Sequence, residues 1–292
     1  MSTLYIMVGI PGAGKDYYIE HNKKDTDIVL SSDGIRAELG DVNDQSQNEL
    51  VFSMLYERLE ENLKAGNDVW FNATNINIKN RSRAVNMGKQ YKYNLVAVVI
   101  AVPVEKAIEQ DSKRDRTVGE AVIWKFVHRF EMPFREEGFN EIRVIGDNAP
   151  LNEAGIQAQM KATEQTSKWH KENVYEHCVA VDRLFNYNNK QKYVFYHDIG
   201  KIYTQTWDEE KKCYHFYDHA NVGAYYLITH PIDGVIDLEG IFLVNYHMLL
   251  KKDKDRTQKN FDKWRRFLGQ EKFDLLMSFA DADSAGAIRE GE

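Results

Sequence analysis

The first half of the chain alternates short apolar runs with amphipathic stretches. Leu4–Val8 reads as a first strand and Ile28–Leu30 as a short second one. Asp68–Asn72, Leu95–Ala101 and Glu141–Ile145 complete the set. Lys15–His21 and Gln45–Ala65 read as helices between them. In the second, Leu50, Met54, Leu55, Leu59 and Leu63 fall near helical spacing, and Gly66-Asn67 supplies a stop. Strands alternating with helices predict a parallel α/β sheet with flanking helices over residues 1–150. The turn formers Asp147-Asn148-Ala149-Pro150 mark the expected boundary. Residues 151–292 read as a second, all-α domain. Its exceptions are a short hairpin near Lys211–Phe216, a polar stretch from Asn152 to Ser167 that is a linker or an exposed helix, and a frayed tail from Ala282 to Glu292.

Composition narrows the picture. With 292 residues, two domains of roughly 100–200 residues are the natural division. No apolar run reaches the ~20 residues of a membrane-spanning helix. The longest, Leu95–Val104, reads as a buried strand. The N-terminus has no basic segment followed by an apolar one, so no signal peptide is expected. Cys178 and Cys213 are far apart and lack a metal-finger spacing. Reduced thiols and a cytoplasmic location follow as expectations. The net charge of −7 argues against a general polyanion binder, so any nucleic acid must be met by local cations.

Gly9-Ile10-Pro11-Gly12-Ala13-Gly14-Lys15 stands between the first strand and a helix, and fits G-x-x-x-x-G-K. Glycines let backbone amides approach phosphate oxygens, the helix N-terminus adds positive dipole, and Lys15 supplies a point charge for the β and γ phosphates of ATP. Gly9, Gly12, Gly14, Lys15 and Asp16 are the expected nucleotide contacts. Asp16 is unusual, because Ser or Thr normally holds Mg²⁺ there. A carboxylate beside a triphosphate is repulsive unless a cation lies between them. Asn72, after the third strand, stands where related kinases usually carry Asp. The two departures compensate if the acid has moved from strand end to loop; the alternative is a weakened kinase.

Ser32-Asp33-Gly34-Ile35-Arg36 follows the second strand. Asp33 is placed to accept a proton from an attacking hydroxyl, and Arg36, one helical turn on, to grip an acceptor phosphate. Asp33 also suits a plain helix N-cap. Lys113-Arg114-Asp115-Arg116, before the helical stretch Glu120–Phe130, suits a lid closing on the transferred phosphoryl group, or a solvated charge run.

These motifs, with Ala73-Thr74-Asn75, Arg81 and Phe130-Glu131-Met132-Pro133…Glu137-Gly138-Phe139, resemble the polynucleotide-kinase type of P-loop phosphotransferase over residues 1–150. The resemblance implies transfer of the ATP γ-phosphate to a 5′-hydroxyl end of RNA or DNA. It makes Lys15 a phosphate ligand, Asp33 the general base, Arg36 the acceptor clamp, and Arg114 the transition-state cation with Arg116 as a lid partner. Asp16, Asn72 and Gly119 depart from the family pattern.

Seven of the nine histidines lie beyond residue 150. His177, His197-Asp198-Ile199-Gly200-Lys201, His215, His219 and His247 are joined by Asp281 and Asp283. Imidazoles with carboxylates suit a divalent transition metal that keeps water positions open. Adjacent His197 and Asp198 would diverge by about 100° on a helix, so sharing one ion requires a bend or flanking helices. The order resembles the HD phosphohydrolase family over about residues 165–285. That resemblance implies His177, His197, Asp198 and Asp281 as ligands, His219 and His247 as ligands of a second ion, and Lys201 as a phosphate contact. Asp281 is preferred to Asp283, and His170 and His215 are weaker candidates. The metal would be Mn²⁺, Ni²⁺, Co²⁺, Fe²⁺ or Zn²⁺.

Together the two resemblances imply an α/β P-loop kinase domain followed by an all-α HD domain. The expected activity is nucleic-acid end healing: a 5′-hydroxyl kinase using ATP and Mg²⁺, joined to a 3′-phosphatase or 2′,3′-cyclic phosphodiesterase. RNA or DNA ends are the substrates and a separate ligase the expected partner, with no role for a membrane. The alternatives are a nucleoside or nucleotide kinase with a nucleotide phosphohydrolase, and a nucleotide sensor with a degenerate kinase.

Overall fold

Near-continuous apolar runs demand cover on both faces, and β1 (Thr3–Val8), β3 (Val69–Asn72) and β4 (Asn94–Ile100) receive it. Leu4, Ile6, Val69, Phe71 and Ala97 are fully buried. With β2 (Ile28–Ser31) and β5 (Glu141–Ile145) these strands form a five-stranded sheet, parallel throughout, in the order β2-β3-β1-β4-β5. Parallel neighbours require crossovers. These contain α1 (Lys15–Asn22), α2 (Ser32–Glu38), α3 (Asn48–Ala65), α4 (Ile78–Gln90), α5 (Val104–Ser112) and α6 (Glu120–Val127). The strand order reverses at β1, a switch point that opens a crevice beyond the carboxyl ends of the strands. Gly9, Ser32 and Asn72 all stand at that edge.

The computed structural model describes residues 1–40, 46–114, 116–146, 149–166, 170–185, 191–250 and 258–287. Gln45, Asp115, Asp147, Asn148, Ser167 and residues 288–292, which enter the expectations above, lie outside them. Leu55, Leu59 and Leu63 face the core, but Leu50 is 48% exposed and Val51 is buried in its place. Leu50 precedes Leu55 by five residues, about 140° off the apolar stripe. Gly66, at φ 80°, ends α3 in the left-handed conformation.

The chain divides into two units, Met1–Phe126 with Pro133–Asp147, and Val127–Met132 with Asn148–Glu292. The excursion of Val127–Met132 had no counterpart in the sequence pattern. The Asn245 side chain secures it, accepting from Met132 N (2.6 Å) and donating to the Phe130 carbonyl (3.1 Å). α6 accordingly stops at Val127 rather than Phe130.

The second unit contains α7 (Glu153–Ala162), α8 (Val174–Leu184), α9 (Gln191–Phe195), α10 (Lys201–Thr204), the antiparallel hairpin β6 (Gln205–Asp208) and β7 (Cys213–Phe216), α11 (His219–Thr229), α12 (Leu238–Tyr246), α13 (Gln258–Leu268) and α14 (Gln270–Ala285). α7 buries Ile156 and Met160, so this part of the polar stretch is a packed helix and not a linker. The tail expected to fray from Ala282 is helical through Ala285, held by buried Phe279, Ala280, Ala282 and Asp283. Among the described residues no helix is long and apolar enough to cross a membrane.

Candidate active sites

In the first unit the phosphate loop runs from Gly9 into α1. Gly12 has φ +76°, and a Cβ there would lie 2.3 Å from the Ala107 carbonyl oxygen, so only glycine fits. Gly14 caps α1 in the left-handed conformation without a side-chain hydrogen bond to the helix. Lys15 folds back, its Nζ donating to the carbonyls of Gly9 and Ile10 at 3.0 Å each. Desolvation lowers its pKa to about 8, with Arg114 acting in the same direction and Asp16 and Asp33 opposing.

The two departures from the kinase pattern touch. Asn72 Nδ2 donates to Asp16 Oδ1 at 2.6 Å. Asn72 is buried at the end of β3, while Asp16 is exposed in the first turn of α1. A carboxylate is favoured there by the helix dipole. The contact fits a cation beside the phosphates, because it keeps one acid and converts the strand-end residue into its hydrogen-bond donor.

Asp33 lies in the first turn of α2, whose cap is supplied by Ser31, with Oγ accepting from Gly34 N at 3.3 Å. Asp33 is therefore not the cap. Its Oδ1 instead receives Arg36 Nη1 at 3.0 Å and Arg116 Nη1 at 3.1 Å. Arg36 is buried and also donates to Asn48 Oδ1 at 2.6 Å. Arg114 Nη1 approaches Asp111 Oδ1 at 3.8 Å, and Asp111 Oδ2 accepts from the amides of Val118 and Gly119. Asp111 thus orders the segment carrying both arginines. Its role was not anticipated; its sign was an acid one turn before a basic run.

Asn75, Arg81 and Glu137 are architectural. Arg81 and Glu137 form a buried bidentate pair at 2.6 Å for both contacts. Asn75 Nδ2 donates to the Met7 carbonyl at 2.8 Å, tying the loop after β3 to β1.

In the second unit, His197 and Asp198 stand in the turn between α9 and α10, the bend their adjacency requires. Gly200 lets this turn pack against the backbone of α11: a Cβ there would lie 1.9 Å from the His219 carbonyl oxygen. His177, His197, Asp198 and His247 have no exposed surface, and His219 has 7%. Asp198 divides its oxygens between two pairs of imidazoles. Oδ2 lies 3.5 Å from both His177 Nε2 and His197 Nε2. Oδ1 lies 3.2 Å from His219 Nε2 and 3.6 Å from His247 Nε2.

The other ring nitrogens fix these orientations. Nδ1 of His197, His219 and His247 lies 3.0, 2.8 and 2.7 Å from the carbonyls of Val194, Phe216 and Val244. A carbonyl only accepts, so Nδ1 carries a proton and Nε2 is turned inward, where it offers a lone pair whenever the ring is neutral. His197 Nε2 and Asp198 Oδ1 are buried without a hydrogen-bond partner. Such orphaned atoms are costly unless something else satisfies them. Three sets of potential ligand atoms among the described residues, His170-Glu172-His177, His177-His197-Asp198 and Asp198-His219-His247, each lie within 4.8 Å of one another. The donor set fits a divalent ion of borderline softness.

Asp283 and not Asp281 completes the cluster. Asp283 is buried, with Oδ1 3.0 Å from His177 Nε2 and 3.7 Å from His197 Nε2, while Asp281 is exposed. Two positions on one helix differ by about 200°, so only one of them can face the histidines. His215 pairs with Asp208 on the hairpin at 3.1 Å, outside this cluster. His170 Nδ1 lies 2.7 Å from Glu172 Oε1, and that oxygen lies 3.5 Å from His177 Nδ1. Glu172 went unnoticed in the sequence, where an acid before a helix cap reads as ordinary.

Electrostatics separates the imidazoles. Burial lowers His177, but Asp283, Glu172 and Asp198 outweigh it and lift the ring to about 9. Burial also lowers His197, and the charge of Asp198 leads the groups that carry it to about 10. His247 goes the other way, desolvation taking it to about 4, and His219 is likewise lowered. Burial disfavours ionised Asp198, yet Lys201, His197, His219 and His247 hold it well below the usual carboxylate range. Lys201 Nζ donates to Asp198 Oδ2 at 2.6 Å and to Gln165 Oε1.

Residues 4–133, which include the phosphate loop, Asp33, Arg114 and Arg116, match the sequence model of the AAA domain family. One similar solved structure, of a Pnkp1/Rnl/Hen1 complex, has a TM-score of 0.34 and 22% identity over 40% of this chain. The match spans 42% of that chain. A second, of the Pnkp1/Rnl/Hen1 RNA repair complex, has a TM-score of 0.42 and 15% identity, covering 91% of this chain and 93% of the other.

Proposed function

We propose that the chain heals broken nucleic-acid ends. Residues 1–150 would act as an ATP-dependent 5′-hydroxyl kinase, and residues 151–292 as an HD-type 3′-phosphatase or 2′,3′-cyclic phosphodiesterase. The observation that carries the reading is the presence in one chain of two separate constellations suited to phosphorus chemistry. One is a phosphate loop facing an acid held by two arginines. The other is a buried carboxylate shared by inward-facing imidazoles.

In the kinase, the loop amides and Lys15 bind the β and γ phosphates. Asp33 accepts the proton of the attacking 5′-hydroxyl as its oxygen bonds to the γ-phosphorus and the β–γ bridging bond breaks, leaving ADP. Arg36 and Arg116 now neutralise Asp33, and an incoming acceptor phosphate competes for them. Arg114, with Arg116, stabilises the charge on the transferred group. Asp16 would hold Mg²⁺, which would supply charge neutralisation at the phosphates.

In the hydrolase, His177, His197, Asp198 and Asp283 would hold one ion, and Asp198, His219 and His247 a second. A bound transition metal supplies Lewis acidity and acidifies its water. The protein's own groups would orient the phosphate: Lys201 offers an ammonium beside Asp198, and the carbonyls of Val194, Phe216 and Val244 fix the imidazoles of His197, His219 and His247. A healed end, with a 5′-phosphate and a free 3′-hydroxyl, is what a separate ligase requires.

The test offers γ-labelled ATP to a 5′-hydroxyl oligonucleotide, to a mononucleoside, and to neither. Label on the oligonucleotide supports end healing. Label only on the mononucleoside supports nucleotide metabolism, the reading that the net charge of −7 favours. Binding without transfer supports a sensor.

A further inference from the structure

The β6–β7 hairpin takes no part in the reaction outlined above, yet its chain runs straight into the cluster around Asp198. Two residues separate the end of β7, Phe216, from His219. The Phe216 carbonyl accepts from His219 Nδ1 at 2.8 Å. Lys201 Nζ lies 5.4 Å from the centroid of the Phe216 ring.

Side chains two apart on a strand share a face. The pairing of Gln205 with Phe216 and of Trp207 with Tyr214 therefore puts Phe216, Tyr214 and Trp207 on one side of the hairpin. Their rings form a row, with centroids 6.4 Å apart from Phe216 to Tyr214 and 4.8 Å apart from Tyr214 to Trp207. Exposure grows outward: Phe216 and Tyr214 are half-buried, and Trp207 is 43% exposed. The row is anchored, with Tyr214 N donating to the Thr166 carbonyl at 3.1 Å and Gln205 Nε2 to the Glu164 carbonyl at 2.8 Å. At the hairpin tip Lys211 pairs with Asp208 and Lys212 with Glu209, and Glu210 adds a negative charge, so this face offers rings and not positive charge.

An anchored row of aromatic rings that starts beside a phosphate-handling lysine and opens to solvent has a specific chemical match. Successive bases of a single strand stack on aromatic side chains with little sequence preference, because every base has a π-face. We propose that this face of the hairpin is a stacking platform for the unpaired bases of a single-stranded 3′ end. The terminal phosphate would reach the Asp198 cluster while the preceding bases lie along Phe216, Tyr214 and Trp207. The proposal rests on the phosphohydrolase reading and narrows its substrate: single-stranded ends with several unpaired bases, in preference to mononucleotides or blunt duplexes.

The experiment compares the full-length protein with its Trp207→Ala and Trp207→Phe variants, on a 3′-phosphorylated tetranucleotide and on p-nitrophenyl phosphate. Trp207→Ala should raise the ratio of the two KM values roughly tenfold, the loss of one base–aromatic stack, and Trp207→Phe should restore most of it. A ratio that does not move, or KM values that rise together, overturns the platform. Binding is measured in parallel by fluorescence anisotropy of the labelled tetranucleotide. Should neither substrate release phosphate, the hydrolase reading fails and anisotropy alone judges the platform: equal affinity of wild type and Trp207→Ala would reject it.

Discussion

At Asp16 and Asn72 a pair of unorthodox residues becomes intelligible once they are seen in contact at 2.6 Å. If the acid has moved from strand to loop, Asp16→Ser should weaken Mg·ATP binding roughly tenfold, the scale of one charge-assisted contact. Adding Asn72→Asp should recover much of that loss. Calorimetric titration at several Mg²⁺ concentrations checks both, and equal affinity of wild type and Asp16→Ser would remove the idea. Lys15 gives a pH prediction. Its ammonium form binds phosphate, and desolvation brings its pKa from 10.5 down to about 8. The free enzyme should therefore lose kcat/KM for ATP as the pH rises above about 8, measured by initial rates at subsaturating ATP. Asp283→Ala should lower the metal content by elemental analysis, while Asp281→Ala should keep it. The family resemblance favoured Asp281, whereas the fold turns Asp283 toward the histidines. Both lie in one short run, and the choice depends on the phase of a helix set by Phe279, Ala280 and Ala282 packing inward.

Elements were legible where pattern and chemistry agreed. Buried parallel strands announce themselves by unbroken apolar runs, and β1, β3 and β4 lie within a residue or two of the expected bounds. Leu50 misled because apolar character was read without the helical phase that Val51, Leu55 and Leu59 define. The return of Val127–Met132 to the second unit rests on the side chain of Asn245, more than a hundred residues away, and no local signal foretells such a contact. The Arg81–Glu137 pair belongs to the same scale, since it joins α4 to the turn before β5 from full burial. Arg81→Ala leaves the buried Glu137 carboxylate unpaired and should cost about 3–5 kcal/mol of stability. Denaturant titration reads this directly, and a loss under 1 kcal/mol would show that the site relaxes or admits water.

For the whole molecule the central claim is that two phosphorus-handling sites share one chain and act independently. The phosphate loop was readable from sequence because its backbone demands specific glycines. The histidine cluster was readable as a set of candidates, but its arrangement was not. Only folding brings residues 177, 197, 198, 219, 247 and 283 together, and only the three-dimensional structure reveals Asp198 dividing its oxygens between two imidazole pairs. The most direct measurement incubates one single-stranded oligonucleotide, with a 5′-hydroxyl and a 3′-phosphate, with ATP, Mg²⁺ and Mn²⁺, and weighs the products by mass spectrometry. Lys15→Ala should yield a product one phosphate lighter, Asp198→Ala one phosphate heavier, and the wild type a product whose fragments show a 5′-phosphate and a free 3′-hydroxyl. An oligonucleotide left unchanged by the wild type, or both end reactions abolished by either substitution, would contradict the account.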